Sequence, residues 1–521
     1  MTETIEDAFR LPDPAMEQGI WLQDAMHCPR PLTALGEEVW QTWMTTGLEA
    51  LGGGLSGTIV NGYSYMGFAG PPPMGPLGRA GAESPRARWE GERLPHIRDL
   101  NARLRAIDYD ALGAHELAAG LPGWIAETAG AFALTMASAG EVADAGGPLL
   151  DFCEVHWPED GTVRAMTLVQ GFANESSDAG AGLGRLAMLA RDNGALVAAL
   201  EAGDLAAVAA APGGEAFVAE FDAFVADHGR GTTTWSNVHE PTWEEDPAVP
   251  LAMIARMARG AETAGSRHTS SANAREAARA AARASLGDEA TIEEFDRLLA
   301  FASDYVPVIE GRARWQLSTI ALNRLPVLAL GRKLVAAGAL ERPDDAFHLT
   351  TAELKAAAKS GASQEALVEQ RRAQHERSSA LVPPRFLGLP VPAEVLAAVP
   401  ILRRLTGIRA QGQPAPNVVE GIAASRGSAR GAARVITRLQ DADRLEPGDV
   451  LVCRFTAPPW TPLFSIAAAV VTDAGGVLSH AAIAAREYAI PCVSGTGDGT
   501  RRIPDGATVT VDGTQGLVRI E

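Results

Sequence analysis

The chain has 521 residues, with 45 Lys and Arg against 64 Asp and Glu, which gives a formal net charge of −19 at pH 7. A chain of this length forms roughly two to four folded units, and its acidic surface argues against a nucleic-acid partner. No stretch approaches about 18 uninterrupted apolar residues, and residues 1–10 lack the apolar core of a signal peptide. Together with four scattered cysteines, these features predict a cytoplasmic protein with no membrane partner.

The first four hundred or so residues read as a mainly α-helical region. Residues 1–20 are polar and are predicted to form an arm, and the Gly- and Pro-rich residues 21–88 predict loops and short strands. Ala, Leu, Glu and Arg then recur at spacings of three and four, so we expect a helical domain over 21–404. Within it, the alternating residues 149–172 predict a short hairpin.

A Gly-, Pro- and Gln-rich segment at 405–420 predicts a linker between domains. The residues that follow, 421–521, predict a compact α/β domain because short β-type runs recur in them with one helical stretch between the third and the fourth. These runs are 433–436, 449–455, 466–472, 490–494 and 508–520.

The strongest chemical signal lies in the middle of this second domain. A buried strand at 467–471 leads into the turn Gly475-Gly476, and a helix is expected to begin with Ser479 as N-cap and His480 as its first residue. A side chain there faces free backbone N–H groups and the positive end of the helix dipole, which favours an anionic phosphoryl group. Imidazole is a nucleophile at neutral pH, so His480 is a candidate phosphoryl carrier.

The string T-D-x-G-G-x-x-S-H-A-A-I-x-A-R-E-x-x-I-P-x-V-x-G at 472–495 resembles the phosphohistidine signature of the PEP-utilising enzyme family. Segments 421–436, 445–464 and 503–520 are similar to other parts of the same swivelling domain. The resemblance implies a covalent phosphohistidine at His480.

The resemblance also implies supporting roles for four residues near the carrier. The hydroxyls of Thr472 and Ser479 are expected to hydrogen-bond the phosphoryl group or the imidazole, and Gly475 and Gly476 are expected to shape the loop. Arg486 and Glu487 are expected to serve either as a structural ion pair or interdomain contact or in catalysis.

Three segments of the first region are similar to the substrate domain of rifampicin phosphotransferase and its relatives: 27–35, 224–247 and 324–354. The second of them departs from the family pattern, because GRGTTTWSN replaces an acidic run. The fold class implied is therefore a multidomain protein in which a mainly α-helical substrate-binding domain is followed by an α/β swivelling phosphohistidine domain.

Two usual parts of the family have no counterpart in this sequence. No (β/α)₈ barrel follows the swivelling domain, so PEP and pyruvate are not expected substrates. No ATP-grasp pattern precedes it, and GGGL at 52–55 lacks the G-K-[ST] of a P-loop. By resemblance to two-component phenylphosphate synthase, we expect ATP and Mg²⁺ to be handled by an ATP-grasp domain on a partner subunit.

A phenolic or alcoholic acceptor needs an apolar pocket, a group that deprotonates its hydroxyl, and cations for the phosphoryl charge. Arg312 and Arg314 are expected on a solvated helix face. No His, Asp or Glu set has metal-ligand spacing, and no tightly bound cofactor is expected. The candidates for substrate contact are His228, Arg230, His239, Glu240, Tyr63, Tyr65 and His27.

The leading hypothesis is the substrate and phosphohistidine subunit of a two-component, ATP-dependent phosphotransferase of the dikinase type that acts on a phenolic or other aromatic hydroxyl compound. One alternative changes the acceptor to an antibiotic-type alcohol or to a carboxylate activated for condensation. Another is a phosphorelay protein with a protein acceptor, and the last is a non-catalytic scaffold.

Overall fold

The structure, a computed structural model, describes residues 5–51, 54–68, 84–172, 175–260, 264–391 and 415–521. Its α-helices are α1 Ile5–Ala8, α2 Ala34–Ala50, α3 Pro85–Arg88, α4 Leu94–Arg105, α5 Ala114–His156, α6 Gly161–Leu168, α7 Glu175–Ala190, α8 Gly194–Glu201, α9 Leu205–Ala210, α10 Gly214–His228, α11 Ala248–Arg259, α12 Ala264–Ser285, α13 Glu289–Ala321, α14 Arg324–Ala336, α15 Thr351–Ser360, α16 Glu365–Ala380, α17 His480–Glu487 and α18 Gly499–Arg502.

The strands are β1 Ile20–Gln23, β2 Leu55–Val60, β3 Tyr63–Phe68, β4 Phe386–Gly388, β5 Val418–Glu420, β6 Ile422–Ser425, β7 Ser428–Val435, β8 Val450–Cys453, β9 Ala469–Thr472, β10 Cys492–Ser494, β11 Thr508–Asp512 and β12 Leu517–Ile520. Helical turns of 3₁₀ type lie at Pro14–Gln18, Tyr109–Ala111, Pro343–His348, Leu439–Arg444 and Pro458–Ser465, and one of π type at Trp89–Arg93.

Two long helices organise the helical region. α5 packs along α13 and α2, and its buried residues Leu117, Leu121 and Phe132 join one apolar cluster with Trp40 and Trp43 of α2. By length and composition alone, α5 is the one helix among the described residues that could cross a membrane. In this structure part of its surface is buried against α2 and α13.

The hairpin predicted at 149–172 is wrong. These residues form the end of α5, a turn and the short helix α6. The buried residues Leu149, Leu150 and Cys153 are spaced as on one helix face, so a short apolar run was mistaken for strand alternation.

The residues from 20 to 68 form the strands expected there, but also a long helix that was not expected. β1, β2, β3 and β4 pair antiparallel in the order β2-β3-β1-β4, which brings residues 20–23 beside 386–388. α2 begins after Thr33, whose side chain accepts a hydrogen bond from Gly36 N. That cap and a buried stripe of apolar residues outweigh the surrounding glycines and prolines.

The expected order of a mainly helical region followed by an α/β region is confirmed. The second sheet has the strand order β5-β12-β11-β7-β8-β9-β10-β6, with β7 to β10 parallel and the other pairs antiparallel. The predicted run at 508–520 is a hairpin of β11 and β12, and residues 418–420, assigned to the linker, form β5. Residues 405–414 of that linker lie outside the described residues.

The sheet packs differently on its two faces. One face buries a cluster of valines that includes Val450, Val471 and Val509. The other face carries α17 and the 3₁₀ turns at 439–444 and 458–465, on which α7 and α11 of the helical region pack. The carrier helix α17 is therefore next to the helical region.

Candidate functional site

His480 is the first residue of α17, as the sequence predicts. Ser479 is the N-cap, and its hydroxyl accepts from Ala482 N at 3.4 Å and donates to the Gly476 carbonyl at 2.8 Å. Gly475 has a φ of +106°, and a Cβ atom there would lie 2.7 Å from Ser479 Cβ. A residue without a side chain is therefore needed at 475, because the loop turns back onto the cap.

The Thr472 hydroxyl supports the loop rather than the imidazole. It donates to the Ala474 carbonyl at 2.9 Å and lies 3.0 Å from the Ser494 hydroxyl, which donates to the Gly475 carbonyl at 2.6 Å. Among the hydrogen bonds of the described residues, neither the Thr472 nor the Ser479 hydroxyl reaches His480. In this structure both residues hold the backbone that positions the histidine.

The imidazole of His480 is held between two side chains that the sequence did not single out. Nδ1 lies 2.9 Å from Oε2 of Glu310 on α13, and Nε2 lies 3.2 Å from Oγ1 of Thr461. His480 is 8% exposed and Glu310 is 2% exposed, so water is largely excluded. A carboxylate at Nδ1 favours the tautomer with its proton on that nitrogen, which leaves the Nε2 lone pair as the nucleophile.

Glu310 was missed although a sequence signal exists. It is a charged residue on the buried face of α13, preceded by Val306 and Val308 and followed by Gly311. A carboxylate in such a position is rarely buried without a partner. The partner, however, is 170 residues away in the chain, and only the packed structure shows it.

Arg312, two residues further along α13, is half-buried rather than on a solvated face as expected. Burial lowers the pKa of its guanidinium, and the negative charge of Glu310 partly opposes that effect. Nη1 donates to Gln316 Oε1 at 3.3 Å, whereas Arg312 Nε and Gln316 Nε2 have no hydrogen-bond partner among the described residues. Two unsatisfied buried donors on the helix that carries Glu310 are suited to an anionic or polar ligand.

Arg486 and Glu487 fasten α17 in place. Arg486 Nη1 donates to the carbonyls of Ala424 and Val477 at 2.9 and 3.0 Å, and burial lowers its pKa to about 10. Glu487 Oε1 accepts from Gly171 N at 2.9 Å. Both contacts are structural, and the second joins the sheet region to the helical region.

The structure separates the four polar residues predicted in the 224–247 segment into two places. His228 ends α10, pairs with Asp227 at 3.2 Å and lines a cleft of about 1010 Å³ along α7 and α10. Arg230 pairs with Glu244 at 3.0 Å on the surface. Neither of these side chains is in hydrogen-bond contact with His480.

His239 and Glu240 lie in a second, more buried place. The His239 ring is 5.4 Å from that of His375, its Nδ1 has no partner among the described residues, and burial holds its pKa well below the ordinary value. Glu240 pairs with Arg30 and accepts from the Thr233 hydroxyl at 3.0 Å. The contacts of Glu240 are structural ones.

Tyr63 and Tyr65 are core residues rather than the pocket lining that we predicted. Both are fully buried on β3, and their hydroxyls donate to the carbonyls of Ser378 and Pro384 at 3.1 and 3.0 Å. Alternation along the strand points both rings to the same covered face. Burial raises the pKa of Tyr63 to about 12.

His27 is placed in a polar and aromatic setting. Its Nδ1 lies 3.0 and 3.1 Å from the two carboxylate oxygens of Asp24, which is 4% exposed. The rings of Trp40 and Trp235 lie 6.3 and 5.7 Å away between centroids. Within the described ranges no group of three or more His, Cys, Asp or Glu residues is arranged to hold a metal ion.

Two parts of the chain match known protein families. Residues 445–516 match the PEP-utilising enzyme mobile domain, and residues 132–310 match the rifampicin phosphotransferase fourth domain. The resemblance to PEP-utilising enzymes predicted from the sequence is thereby confirmed. His480 lies in the first match, and Glu310 is the last residue of the second.

Relatives among characterised and uncharacterised proteins agree with these matches. A stretch of Chondramide synthase cmdD from Chondromyces crocatus is 31% identical over 96% of this chain and 14% of that protein. The uncharacterized phosphotransferase YvkC of Bacillus subtilis is 30% identical over 59% of this chain and 37% of that protein. A rifampicin phosphotransferase of Streptomyces sviceus is 29% identical over 60% of this chain and 35% of that enzyme. The chain thus spans between about a seventh and about two fifths of the length of these relatives.

Proposed function

We propose that this chain is a phosphotransferase component that carries a phosphoryl group on Nε2 of His480 and passes it to the hydroxyl of a small aromatic acceptor. The observation that carries the proposal is the buried contact of 2.9 Å between His480 Nδ1 and Glu310 Oε2. It leaves Nε2 as the reactive nitrogen at the start of a helix. The match to the mobile domain of PEP-utilising enzymes supports the same role.

Each neighbouring group has a role in such a transfer. The positive end of α17 favours a phosphoryl group next to His480, and the Thr461 hydroxyl, 3.2 Å from Nε2, can donate a hydrogen bond to a phosphoryl oxygen. Glu310 holds the Nδ1 proton, so that the imidazole departs as a neutral group when the phosphoryl leaves. Arg312 is a half-buried cation on the same helix as Glu310, and we propose that it offsets phosphoryl charge.

Loading of His480 is proposed to use ATP and Mg²⁺ bound by an ATP-grasp domain on a partner subunit. This proposal follows the resemblance of the sequence to two-component phenylphosphate synthase. One histidine that serves two separate sites must travel between them. We therefore propose that the sheet region from β5 onward, residues 418–521, moves as a unit relative to the helical region.

A second candidate acceptor is an antibiotic-type alcohol. It is favoured by the relatives that are named rifampicin phosphotransferase and by the match of residues 132–310 to a domain of that enzyme. The similarity to a stretch of a synthase over 96% of the chain keeps a carboxylate activated for condensation as a third candidate.

The carrier role is tested by chemical phosphorylation. The chain is incubated with phosphoramidate, a small phosphoryl donor to imidazole, and the adduct is located by mass spectrometry and its isomer identified by ³¹P NMR. We expect an acid-labile adduct on Nε2 of His480 in the wild type and in the control His348→Gln, but not in His480→Gln. Absence of the adduct from the wild type, or its persistence in His480→Gln, contradicts the proposal.

A further inference from the structure

A cavity of about 210 Å³ lies where the helical region meets the second half of the carrier helix α17. It is lined by residues of α6 and α12 on one side and by residues of β6 and α17 on the other. Liquid water takes about 30 Å³ per molecule, so the cavity has room for an ion of several heavy atoms. His480 and Glu310 do not line it, which separates it from the carrier site.

Arg486 brings a guanidinium to this cavity from α17. The residue is 6% exposed, and its Nη1 donates to the carbonyls of Ala424 and Val477. Among the described residues its Nε and Nη2 atoms make no hydrogen bond, although Arg486 lines the cavity. The edge formed by Nε and Nη2 is therefore available, and such an edge binds two oxygens of a carboxylate or a phosphate side by side.

The charge of this buried guanidinium is only partly balanced by the protein. Burial lowers the pKa of Arg486 to about 10, and the negative charges of Glu487 and Glu310 oppose that effect without cancelling it. The hydrogen bonds of Arg486 go to neutral carbonyls, and Glu487 uses Oε1 to accept from Gly171 N. An anion in the cavity would supply the missing negative charge at hydrogen-bond distance.

Two further side chains line the cavity with unused hydrogen-bonding groups. Ser425 is 6% exposed, and its hydroxyl makes no hydrogen bond among the described residues. Gln170 donates from Nε2 to the Ser271 carbonyl at 3.3 Å, and its Oε1 has no donor among the described residues. The Ser425 hydroxyl can donate to an anion oxygen, and Gln170 Oε1 can accept from a protonated oxygen such as that of hydrogen phosphate.

A second arginine lines the cavity from the surface of the protein. Arg426 follows β6, and its Nη2 lies 3.5 Å from Asp160 Oδ2. The two side chains are 51% and 32% exposed, so their ion pair is weak and Arg426 can turn toward an anion that enters from solvent. In a protein with a net charge of −19, two arginines on one cavity form a local exception to the acidic surface.

We propose that this cavity binds a small oxyanion, either inorganic phosphate or a carboxylate, through Arg486, Arg426 and Ser425. Its walls belong to both the helical region and the sheet region, so the ion binds the docked arrangement of the two regions. A ligand that binds one arrangement better than another shifts the population toward it. The bound ion therefore holds the carrier helix against the helical region, and the site does not depend on the proposed role of His480.

Binding is tested on the full chain by isothermal titration calorimetry. Sodium phosphate and sodium acetate are titrated separately at pH 7, with the ionic strength held constant by sodium chloride. We expect saturable binding of at least one of the two anions, and a urea midpoint of unfolding that rises and levels off over the same concentrations. Binding of phosphate alone assigns the site to phosphate, and binding of acetate alone assigns it to a carboxylate.

Two substitutions locate the bound anion. Arg486→Lys keeps the positive charge but removes the edge with two nitrogen atoms, so we expect the dissociation constant to rise by about 10-fold or more. Arg426→Gln removes the exposed cation, and we expect a rise of about 3-fold. If Arg486→Lys does not fold, as judged by urea unfolding, the exposed Arg426 still provides the test, because its substitution leaves the packed interior unchanged.

Arg430→Gln is the matched control, because Arg430 is an exposed arginine on the neighbouring strand β7 that also pairs with a carboxylate, that of Glu521 at 2.6 Å. It should bind the anion as wild type does, and so should His480→Gln. Absence of saturable binding of both anions to the wild type overturns the proposal. So does loss of binding in His480→Gln, which would place the anion at the carrier site, or wild-type affinity in every arginine variant that folds.

Discussion

At the scale of single residues, the unusual feature of this protein is a catalytic candidate completed from a distant part of the chain. His480 is placed by its own loop, but its Nδ1 is bound by Glu310 of α13 and its Nε2 faces Thr461. The local sequence around His480 therefore accounts for where the ring lies, and α13 accounts for which nitrogen reacts. The two contributions can be separated by mutation.

Glu310→Gln tests the contribution of α13. The amide preserves the size of the side chain but removes its negative charge, so the imidazole loses electrostatic support at Nδ1. We expect formation of the phosphohistidine adduct with phosphoramidate to slow by about 10- to 100-fold. Glu293→Gln is the control, because Glu293 is exposed on the same helix. Equal rates for Glu310→Gln and wild type would show that the carboxylate has no part in activating the ring.

At the scale of elements, the turn from β9 into α17 depends on the backbone as much as on side chains. Gly475 has a left-handed φ, and its missing side chain makes room for the Ser479 cap. The cap in turn begins α17 at His480. The strand β9, the turn, the cap and His480 thus form one local unit, so this part of the site can be predicted from the sequence.

Gly475→Ala should therefore damage both stability and phosphorylation. The new Cβ is strained by its φ of +106° and would lie 2.7 Å from Ser479 Cβ, so we expect a loss of about 2 kcal/mol and a displaced His480. Gly448→Ala is the matched control: its φ is +94° but nothing lies within 4 Å of the new atom. It should lose only about 1 kcal/mol in urea unfolding and keep the adduct. Equal effects of the two substitutions would rule out the contact with the cap as the cause.

At the scale of the whole molecule, the helical region and the sheet region meet over a large apolar surface that also contains polar contacts. α7 and α11 pack on the 3₁₀ turns of the sheet region, and Ser271 of α12 donates to the Arg486 carbonyl at 2.6 Å. Arg256 of α11 pairs with Glu446 at 2.5 Å. Any swing of the sheet region must break these contacts and must restore them on return.

The helical region also carries histidines that burial keeps neutral, which predicts acid sensitivity. The pKa of His348 is lowered from 6.5 to about 4, chiefly by burial and then by His375. As pH falls below about 6.5 the unfolded chain takes up a proton there and the folded one does not, so stability is lost down to about pH 4. We expect this one group to cost on the order of 2 kcal/mol, after allowance for solvent.

Urea unfolding between pH 7 and 4 checks this expectation. As pH falls, the urea midpoint of unfolding should decrease less steeply in His348→Gln than in wild type. The difference between the two curves gives the contribution of His348 alone, because groups such as Glu37 are present in both proteins. The raised pKa of Glu37 acts in the opposite direction, since it favours the folded state as pH falls. Parallel pH curves for the two proteins would exclude His348 as a source of acid sensitivity.

Much of the architecture could be predicted from the sequence because it depends on residues that are neighbours along the chain. The order of a helical region before an α/β region, the start of α17 at His480 and the turn at Gly475 all follow from local spacing, capping and glycine placement. Where local patterns were ambiguous they misled, as in the helices formed at 149–172.

Only the tertiary structure decided which distant side chains meet. The pairing of Glu310 with His480, the burial of Tyr63 and Tyr65, and the separation of His228 from His239 all depend on how helices and sheets pack. A residue's type and spacing indicate what it can do, but the chain path through space determines its partners. Contacts between residues as far apart in the chain as Glu310 and His480 leave no periodic trace in one sequence, so the partner of Glu310 could not be predicted from it.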